Sequence, residues 1–208
     1  MFRPLLFALT ALAACAPASG PRPGTLPVAE ARRGALGATV EVSGVVTVPS
    51  GSLDRGFAVQ DATGGIYVQA TDSTVTYSAG QRVRVAGALA ENHGLLGIGP
   101  AFVEVLGPAA APAPRDVRTG EVGEATEGWL VRVRGTVTGD VVDDRPYGWK
   151  ITIDDGSGPL LVFASASAWI DVGRVRAGQR IEAVGLSGQY DDHAEVLPRG
   201  DADLRVLP

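Results

Sequence analysis

The sequence contains the same order of strand-like segments twice, and this internal repeat constrains the fold more than any single residue does. Each copy holds an alternating apolar segment, a longer segment with an Asp- and Gly-rich turn, and a segment that opens on Ala-Gly-Gln-Arg. The matching segments are 40–47, 57–68 and 79–87 in the first copy, and 131–138, 151–162 and 177–185 in the second. The loops between them are longer in the second copy. Such a repeat predicts two copies of one small β-domain.

The first 14 residues are typical of an export signal. Met1-Phe2-Arg3 supplies a short positive start, and the apolar run 4–14 is too short to span a bilayer as a mature helix. The run closes on Leu12-Ala13-Ala14-Cys15, which resembles the cleavage site of bacterial lipoproteins, where the chain is cut before the cysteine and the thiol is lipidated. The alternative is an ordinary secretory leader whose cysteine is incidental.

Cys15 is the only cysteine in the sequence, so no internal disulfide can form. Lipidation would remove a lone reactive thiol from an oxidising compartment, and several acyl chains on one residue would anchor the protein stably to a membrane. Ala16 follows the cysteine, at a position where an aspartate would suggest inner-membrane retention in many Gram-negative bacteria. We therefore expect a lipid-anchored protein of the cell envelope, on the outer membrane or facing the periplasm.

Proline-rich stretches divide the rest of the chain. The segment 15–27 has no apolar periodicity and is typical of an extended tether, and residues 108–118 separate the two copies with similar Ala- and Pro-rich chemistry. We expect one domain at 28–107 and a second at 119–208, each large enough for one small core. A stiff linker would hold these domains apart, although a short linker also permits side-by-side docking.

Alternation predicts the strands. In Val40-Glu41-Val42 and in Val131-Arg132-Val133 apolar residues alternate with charged ones, as in a half-buried antiparallel strand. Gly44 and Gly135 fall inside the first strand of their copies, where a glycine commonly marks a bend that lets one strand join two sheets. Residues 165–172, between the third and fourth strands of the second copy, are candidates for one or two helical turns.

The order of these elements predicts an all-β chain with two tandem OB-folds, which are five-stranded Greek-key barrels. Five segments also resemble a known family, the OB-fold modules of bacterial secreted nucleases and related envelope lipoproteins. They are Phe57-Ala58-Val59-Gln60-Asp61, Gly80-Gln81-Arg82-Val83, Thr119-Gly120-Glu121-Val122, Gly128-Trp129-Leu130-Val131 and Leu197-Pro198-Arg199. In that family the modules are usually accessory domains thought to bind nucleic acid. The resemblance implies a fold more specifically than a function.

An OB-fold binds ligands on the face of strands two and three, between the loop joining strands one and two and the loop joining four and five. In the second copy these loops are 139–149 and 187–193. Aromatic rings there can stack on bases or sugars, and cationic side chains supply charge. The predicted ligand-binding residues are Arg145, Tyr147, Trp149, Lys150 and Tyr190 in the second copy and Tyr67 in the first, which offers a thinner set. The alternative is that these aromatic side chains cover the barrel ends.

Charge argues against strong nucleic-acid binding. The net charge is −5, and phosphate binding draws its affinity from cationic side chains. Arg132, Arg134 and Arg180 could form a local basic stripe, because alternation points them away from the core. The alternative is a solvated face on which these arginines pair with acidic residues.

No catalytic constellation is recognisable in the sequence. It has only two histidines, His93 and His193, and it lacks a nucleophile elbow, a phosphate-binding loop and a His-Glu-X-X-His motif. Asp191-Asp192-His193 and Asp143-Asp144 offer ligand types for a divalent cation, but without any recognised metal spacing, and Asp-rich turns are common for backbone reasons. We expect no enzymatic activity, no metal and no other cofactor.

Together these patterns predict a lipid-anchored, non-catalytic binding module of the cell envelope. The leading hypothesis is weak single-stranded nucleic-acid binding through the second barrel, with the membrane reached through lipidated Cys15. The alternative is a protein-interaction or assembly role in the envelope with no nucleic-acid ligand, which the negative charge favours. Metal-assisted hydrolysis at the Asp-rich loops ranks third.

Overall fold

A computed structural model describes residues 24–53, 56–69 and 74–208. The predicted signal sequence, the lipidation site Cys15 and most of the predicted tether lie outside the described residues. A short helix, α1 (Val28–Ala31), precedes the first barrel. None of the helices within the described ranges is long and apolar enough to cross a membrane.

Five strands form the first barrel. They are β1 (Thr39–Leu53), β2 (Gly56–Gln60), β3 (Gly65–Val68), β4 (Gln81–Asn92) and β5 (Leu95–Pro108). The barrel is closed in the order β1-β2-β3-β5-β4, with β1 also paired to β4. Only β3 and β5 pair in parallel, and the other neighbours are antiparallel.

The second barrel repeats this order and adds three short strands. Its strands are β6 (Arg115–Asp116), β7 (Leu130–Val137), β8 (Val142–Asp144), β9 (Gly148–Asp154), β10 (Pro159–Ser165), β11 (Arg180–Tyr190), β12 (His193–Pro198) and β13 (Leu204–Val206). The ring β7-β9-β10-β12-β11 closes because β11 pairs with β7, and β10 and β12 pair in parallel. Two closed five-stranded barrels with this strand order confirm the predicted tandem OB-folds.

Gly44 and Gly135 lie where the first strand of each barrel changes partner. β1 pairs with β4 as far as Val45 and with β2 from Val45 onward. β7 likewise pairs with β11 as far as Thr136 and with β9 from Thr136. A Cβ on Gly44 would lie 2.8 Å from the Gln60 carbonyl oxygen, so the close approach of two strands requires glycine there. The predicted positions of the strand bends are confirmed.

Each barrel encloses its own apolar core. Val42, Phe57 and Ile66 are among the buried residues of the first core, and Ile151 and Ile153 are among those of the second. These side chains come from alternate positions of their strands, as a half-buried strand requires. Neither core depends on the other to fill its interior.

The two barrels dock against each other through a third apolar cluster. It consists of the buried residues Val48, Leu53, Ala58 and Leu186, with Tyr67 and Leu197 packed against them. The cluster draws on both barrels, so docking removes apolar surface of both from water and is favourable. Of the two arrangements that the linker permits, the structure has the docked one.

The backbones of the two barrels approach each other closely beside this cluster. A Cβ on Gly65 of the first barrel would lie 1.9 Å from the carbonyl oxygen of Gly128. Gly128 itself has a φ of +83°, a conformation that favours glycine. The Leu130 amide of the second barrel donates to Gln60 Oε1 at 3.1 Å. These contacts need glycine at two positions and fix how the barrels sit together.

A buried ion pair joins α1 to the second barrel. Arg32, which follows α1, donates to Glu127 Oε1 at 2.9 Å, and the Leu96 amide donates to the same oxygen at 3.2 Å. The Glu127 side chain is only 2% exposed. Removing Arg32 would leave a buried charge without a counter-ion, so the pair couples the two barrels energetically.

One local feature differs from the sequence-based expectation, and another agrees with it. Within the predicted linker 108–118, Arg115–Asp116 pairs in parallel with β7, so the end of the linker belongs to the sheet of the second barrel. The candidate helical turns at 165–172 are 3₁₀ turns at Ala166–Ala168 and Val172–Arg174. The first turn ends at Trp169 because that residue has a left-handed backbone conformation.

Candidate ligand-binding surface

The second barrel covers the outer face of β2 and β3 in the first barrel. All five residues of β2 are buried, including those that point outward, such as Ala58. Tyr67, the ligand-binding residue predicted in the first copy, packs against the apolar cluster between the barrels and donates its hydroxyl to the Leu53 carbonyl at 3.3 Å. The face that an OB-fold uses for ligands is therefore closed in the first barrel.

The equivalent face of the second barrel faces solvent. Opposed pairs on β9 and β10, Lys150 with Phe163 and Thr152 with Leu161, place four side chains on one outer surface, which we call the β9–β10 face. Thr152 is exposed, and the other three side chains are half-buried. This barrel therefore keeps an accessible surface at the position where OB-folds bind ligands.

The loop 138–147 borders one end of this face. Nε of Arg145 donates to both carboxylate oxygens of Asp143, at 2.9 Å each. Hydrogen bonding from the Arg145 side chain lowers the pKa of Asp143 to about 2. Tyr147 is 72% exposed. The charge of Arg145 is thus balanced inside the loop, whereas the ring of Tyr147 is accessible.

Trp149 and Lys150 are neighbours in β9 and point to opposite sides of it. The ring of Trp149 is half-buried and packs against the core of the second barrel. Lys150 lies on the β9–β10 face, with Nζ 2.9 Å from a carboxylate oxygen of Asp144. The position of Trp149 agrees with the alternative in which an aromatic side chain covers the barrel, whereas Lys150 can reach a ligand.

The loop between β11 and β12 borders the other end of the face, where it meets the first barrel. Tyr190 is 46% exposed and stacks on His93 of the first barrel, with ring centroids 4.5 Å apart and planes inclined by 12°. His93 Nδ1 lies 2.9 Å from Asp191 Oδ1, and the Asp191 amide donates to the His93 carbonyl at 2.7 Å. One side of the Tyr190 ring is therefore already occupied.

The strand register brings three of the predicted residues, Tyr147, Lys150 and Tyr190, to one surface. Tyr147 precedes the start of β9, and Tyr190 pairs with His193 at the start of β12, which runs parallel to β10. Tyr147 and Tyr190 therefore lie near opposite ends of the β9–β10 face, with Lys150 between them. Arg145 lies beside Tyr147, while Trp149 is turned into the barrel.

Glu195 belongs to this surface, although the sequence analysis did not single it out. It lies opposite Leu161 of β10 and Gly188 of β11, so its side chain is on the same outer side as the β9–β10 face. The residue is only 6% exposed. Burial raises its pKa to about 7, partly offset by the positive charges of His193 and Lys150. Alternation with the buried Val196 is the one sequence signal that indicates its outward position.

Trp169 is a second residue that sequence analysis missed. It is 87% exposed and has a φ of +53°, which is unusual for a bulky side chain. Residues held in such conformations cluster at functional sites. The 3₁₀ turn before it is tied to the loop 138–147, because the Ala166 amide donates to the Tyr147 carbonyl at 2.8 Å. Nothing in the residues around Trp169 distinguishes it from a core tryptophan.

Arg132 and Arg134 do not form an unpaired basic stripe. Arg134 lies 2.7 Å from Glu182 and 3.2 Å from Asp116, and Arg132 lies 3.4 Å from Asp116. Arg180 is exposed on β11. The two paired arginines agree with the alternative in which alternating charges form a solvated face.

Three carboxylates of the Asp-rich loops also have side-chain partners. Asp143 and Asp144 pair with Arg145 and Lys150, and Asp191 pairs with His93. Within residues 24–53, 56–69 and 74–208, no group of three or more His, Cys, Asp or Glu side chains is arranged to hold a metal ion.

A shallow cleft of about 330 Å³ opens beside the β9–β10 face. Thr119, Thr152, Leu161 and His193 are among the residues that line it. The cleft therefore extends the candidate surface towards the loop between β11 and β12.

No protein-family profile and no curated protein matches the sequence. Solved structures to which this chain shows some similarity include a murine DNA-binding protein bound to double-stranded DNA, at 10% identity over 80% of this chain and 98% of that chain, with a TM-score of 0.41. They also include the tetrameric p202 HIN2 (13% identity, 83% of this chain, 95% of that chain, TM-score 0.40) and the single-stranded DNA-binding protein of Thermus aquaticus (12%, 84%, 95%, TM-score 0.27). The OB-fold assignment of this chain rests on its own strand order and pairing.

Proposed function

We propose that this chain is a lipid-anchored, non-catalytic binding module of the cell envelope that binds single-stranded nucleic acid weakly through the β9–β10 face. The proposal rests on a difference between the two barrels. The first barrel docks against the second through the face that OB-folds use for ligands, whereas the equivalent face of the second barrel is accessible. Both copies have the same strand order, so of these two equivalent faces one is accessible and the other is covered.

The side chains on this surface suit an unpaired strand. Tyr147, Phe163 and Tyr190 offer rings on which bases can stack, and stacking contributes roughly 1 to 3 kcal/mol per base. Lys150 lies between them and can approach the phosphate backbone. Both Lys150 and Arg145 are paired with aspartates, so phosphates must compete with carboxylates for these cations. We therefore expect weak and strongly salt-dependent binding.

The envelope location rests on the sequence. The apolar leader and the segment Leu12-Ala13-Ala14-Cys15 support lipidation of the only cysteine. Globomycin treatment of expressing cells, which blocks lipoprotein signal cleavage, should leave a longer precursor. A Cys15→Ser variant that still fractionates with membranes would contradict the anchor.

Fluorescence anisotropy of labelled single-stranded DNA and RNA, titrated with full-length protein in mild detergent, tests the binding function. A labelled polyanion serves as a control for charge alone, and low and physiological salt are compared. Tyr147→Ala should weaken binding, whereas Phe102→Ala, which removes another exposed ring from the first barrel, should not. No binding of either nucleic acid at low salt would contradict the proposal.

A second candidate is a protein-interaction module of the envelope without a nucleic-acid ligand. It is favoured by the exposure of three apolar side chains in the segments that border one end of the β9–β10 face: Val142, Tyr147 and Trp169. Exposed apolar groups of this kind commonly mark protein contacts. A photo-crosslinking amino acid at position 169 should then capture one partner in cells, and the same group at position 180, where an exposed arginine stands, should not.

A further inference from the structure

The outer side of β12 holds a carboxylate that the described residues leave without a hydrogen bond. Glu195 is 6% exposed, and the charged groups that act on it are His193 and Lys150. Each of these has another partner: Lys150 Nζ lies 2.9 Å from Asp144, and His193 lies 3.4 Å from Asp192. A carboxyl group this buried is costly unless a donor reaches it.

The oxygens of Glu195 remain accessible to a ligand. Across the described ranges, the side-chain atoms sealed from solvent without a partner are Glu127 Oε2 and Arg132 Nε. Glu195 is not among them, so its oxygens keep some contact with solvent. Leu161 lies directly beside it, and Phe163 lies two residues further along β10. The carboxylate thus sits in an apolar part of the candidate surface, next to the β9–β10 face.

The surroundings of Glu195 indicate which kind of hydrogen-bond donor a ligand would bring to its carboxylate. A donor that reaches this carboxylate must leave water for the apolar surroundings of Leu161 and Phe163, and a neutral N–H group loses much less hydration there than a cation does. The half-buried apolar side chains of Leu161 and Phe163 suit a flat ring. A neutral amino group on a planar ring is the exocyclic amine of a nucleobase, and carboxylates accept hydrogen bonds from N4 of cytosine.

We propose that Glu195 accepts a hydrogen bond from the exocyclic amino group of a base bound on the β9–β10 face, so that the protein prefers cytosine to uracil. This inference rests on the proposed nucleic-acid binding and adds base preference to it. Cytosine and uracil have the same size and differ at position 4, where cytosine has a donor and uracil an acceptor. The comparison therefore isolates the one contact assigned to Glu195.

Anisotropy titrations of full-length protein with labelled oligo(dC) and oligo(dU) of ten nucleotides, at pH 8 and low salt, test this inference. We expect oligo(dC) to bind about fivefold or more tightly than oligo(dU), as for one good contact to a base edge. In Glu195→Gln the ratio should fall close to one, because an amide both donates and accepts and so serves either base.

Asp192→Asn is the matched control, because it removes one negative charge from a side chain that is 99% exposed in the neighbouring loop. This variant should keep the preference for oligo(dC). Equal binding of both oligonucleotides by the wild-type protein, or an unchanged ratio in Glu195→Gln, would overturn the inference and leave the proposed function standing. Failure of both oligonucleotides to bind would overturn the function and the inference together.

Discussion

The substitution Glu195→Gln should stabilise the protein above neutral pH. The ordinary pKa of a glutamate is 4.5, and burial raises that of Glu195 to about 7. Between these two values the folded protein holds a proton that the unfolded chain has released. The free energy of unfolding therefore falls as the pH rises from 4.5 to about 7, and the loss is complete above the folded pKa.

The size of the effect follows from the two pKa values. One pH unit corresponds to about 1.4 kcal/mol, so raising the pKa from 4.5 to about 7 costs the folded state about 3 kcal/mol at pH 8. Glutamine cannot ionise and avoids this cost, while its amide resembles the neutral carboxyl in shape. We expect the free energy of unfolding of Glu195→Gln to exceed that of the wild type by about 3 kcal/mol at pH 8, and to differ little from it near pH 4.5. In a chain of this size that corresponds to a Tm increase of about 6 to 12 °C.

Thermal and urea unfolding, followed by circular dichroism from pH 4.5 to 8.5, measures this difference. The charged groups around Glu195, namely Lys150, His193, Asp144 and Asp192, are present in both proteins, so their contributions largely cancel in the comparison. Asp192→Asn should follow the wild-type curve. A constant difference between Glu195→Gln and wild type across this pH range would refute the reasoning, because it would mean that Glu195 titrates normally.

Four substitutions test the docking of the barrels and the roles of the aromatic side chains. Gly65→Ala should lower the free energy of unfolding by about 2 kcal/mol or more, because its Cβ would lie 1.9 Å from a carbonyl oxygen of the second barrel. Small-angle scattering should show a more extended protein, and an unchanged scattering profile and Tm would contradict this. Arg32→Ala should lower the free energy of unfolding in denaturant by about 3 to 5 kcal/mol, because it leaves Glu127 buried without its counter-ion. A loss below about 1 kcal/mol would show that water solvates the pair. Trp149→Ala should lower stability by about 2 to 3 kcal/mol, whereas Tyr147→Ala should change it by about 0.5 kcal/mol or less; equal Tm values would contradict the placement of Trp149 against the core.

Strand positions and barrel topology could be predicted because they depend on local patterns. Alternation fixed the inward and outward sides of the strands, and Gly44 and Gly135 marked the points where β1 and β7 change partner. The same alternation argues against placing Trp149 and Lys150 on one surface, because neighbours in a strand point to opposite sides. That conflict could be noticed from the sequence alone.

The docking of the barrels could not be predicted in the same way. It depends on which surfaces fit each other, and Gly65 and Gly128 meet although they lie in different copies. The burial of Glu195 likewise depends on how β12 pairs with β10 and β11. Trp169 could not be recognised either, because its exposure follows from a left-handed backbone conformation that its sequence context does not indicate.

The two copies differ most clearly at equivalent positions of the same hairpin. Counted from the turn, the opposed pair Ala58–Tyr67 in the first barrel corresponds to Thr152–Leu161 in the second. Because Ala58 is small, the second barrel can approach β2 so closely that Ala58 is fully buried. Tyr67 joins the apolar cluster between the barrels. Polar Thr152 gains nothing from such burial and stays in water. One fold therefore serves for attachment in the first copy and leaves a surface for a ligand in the second, and side-chain size and polarity at this pair account for the difference.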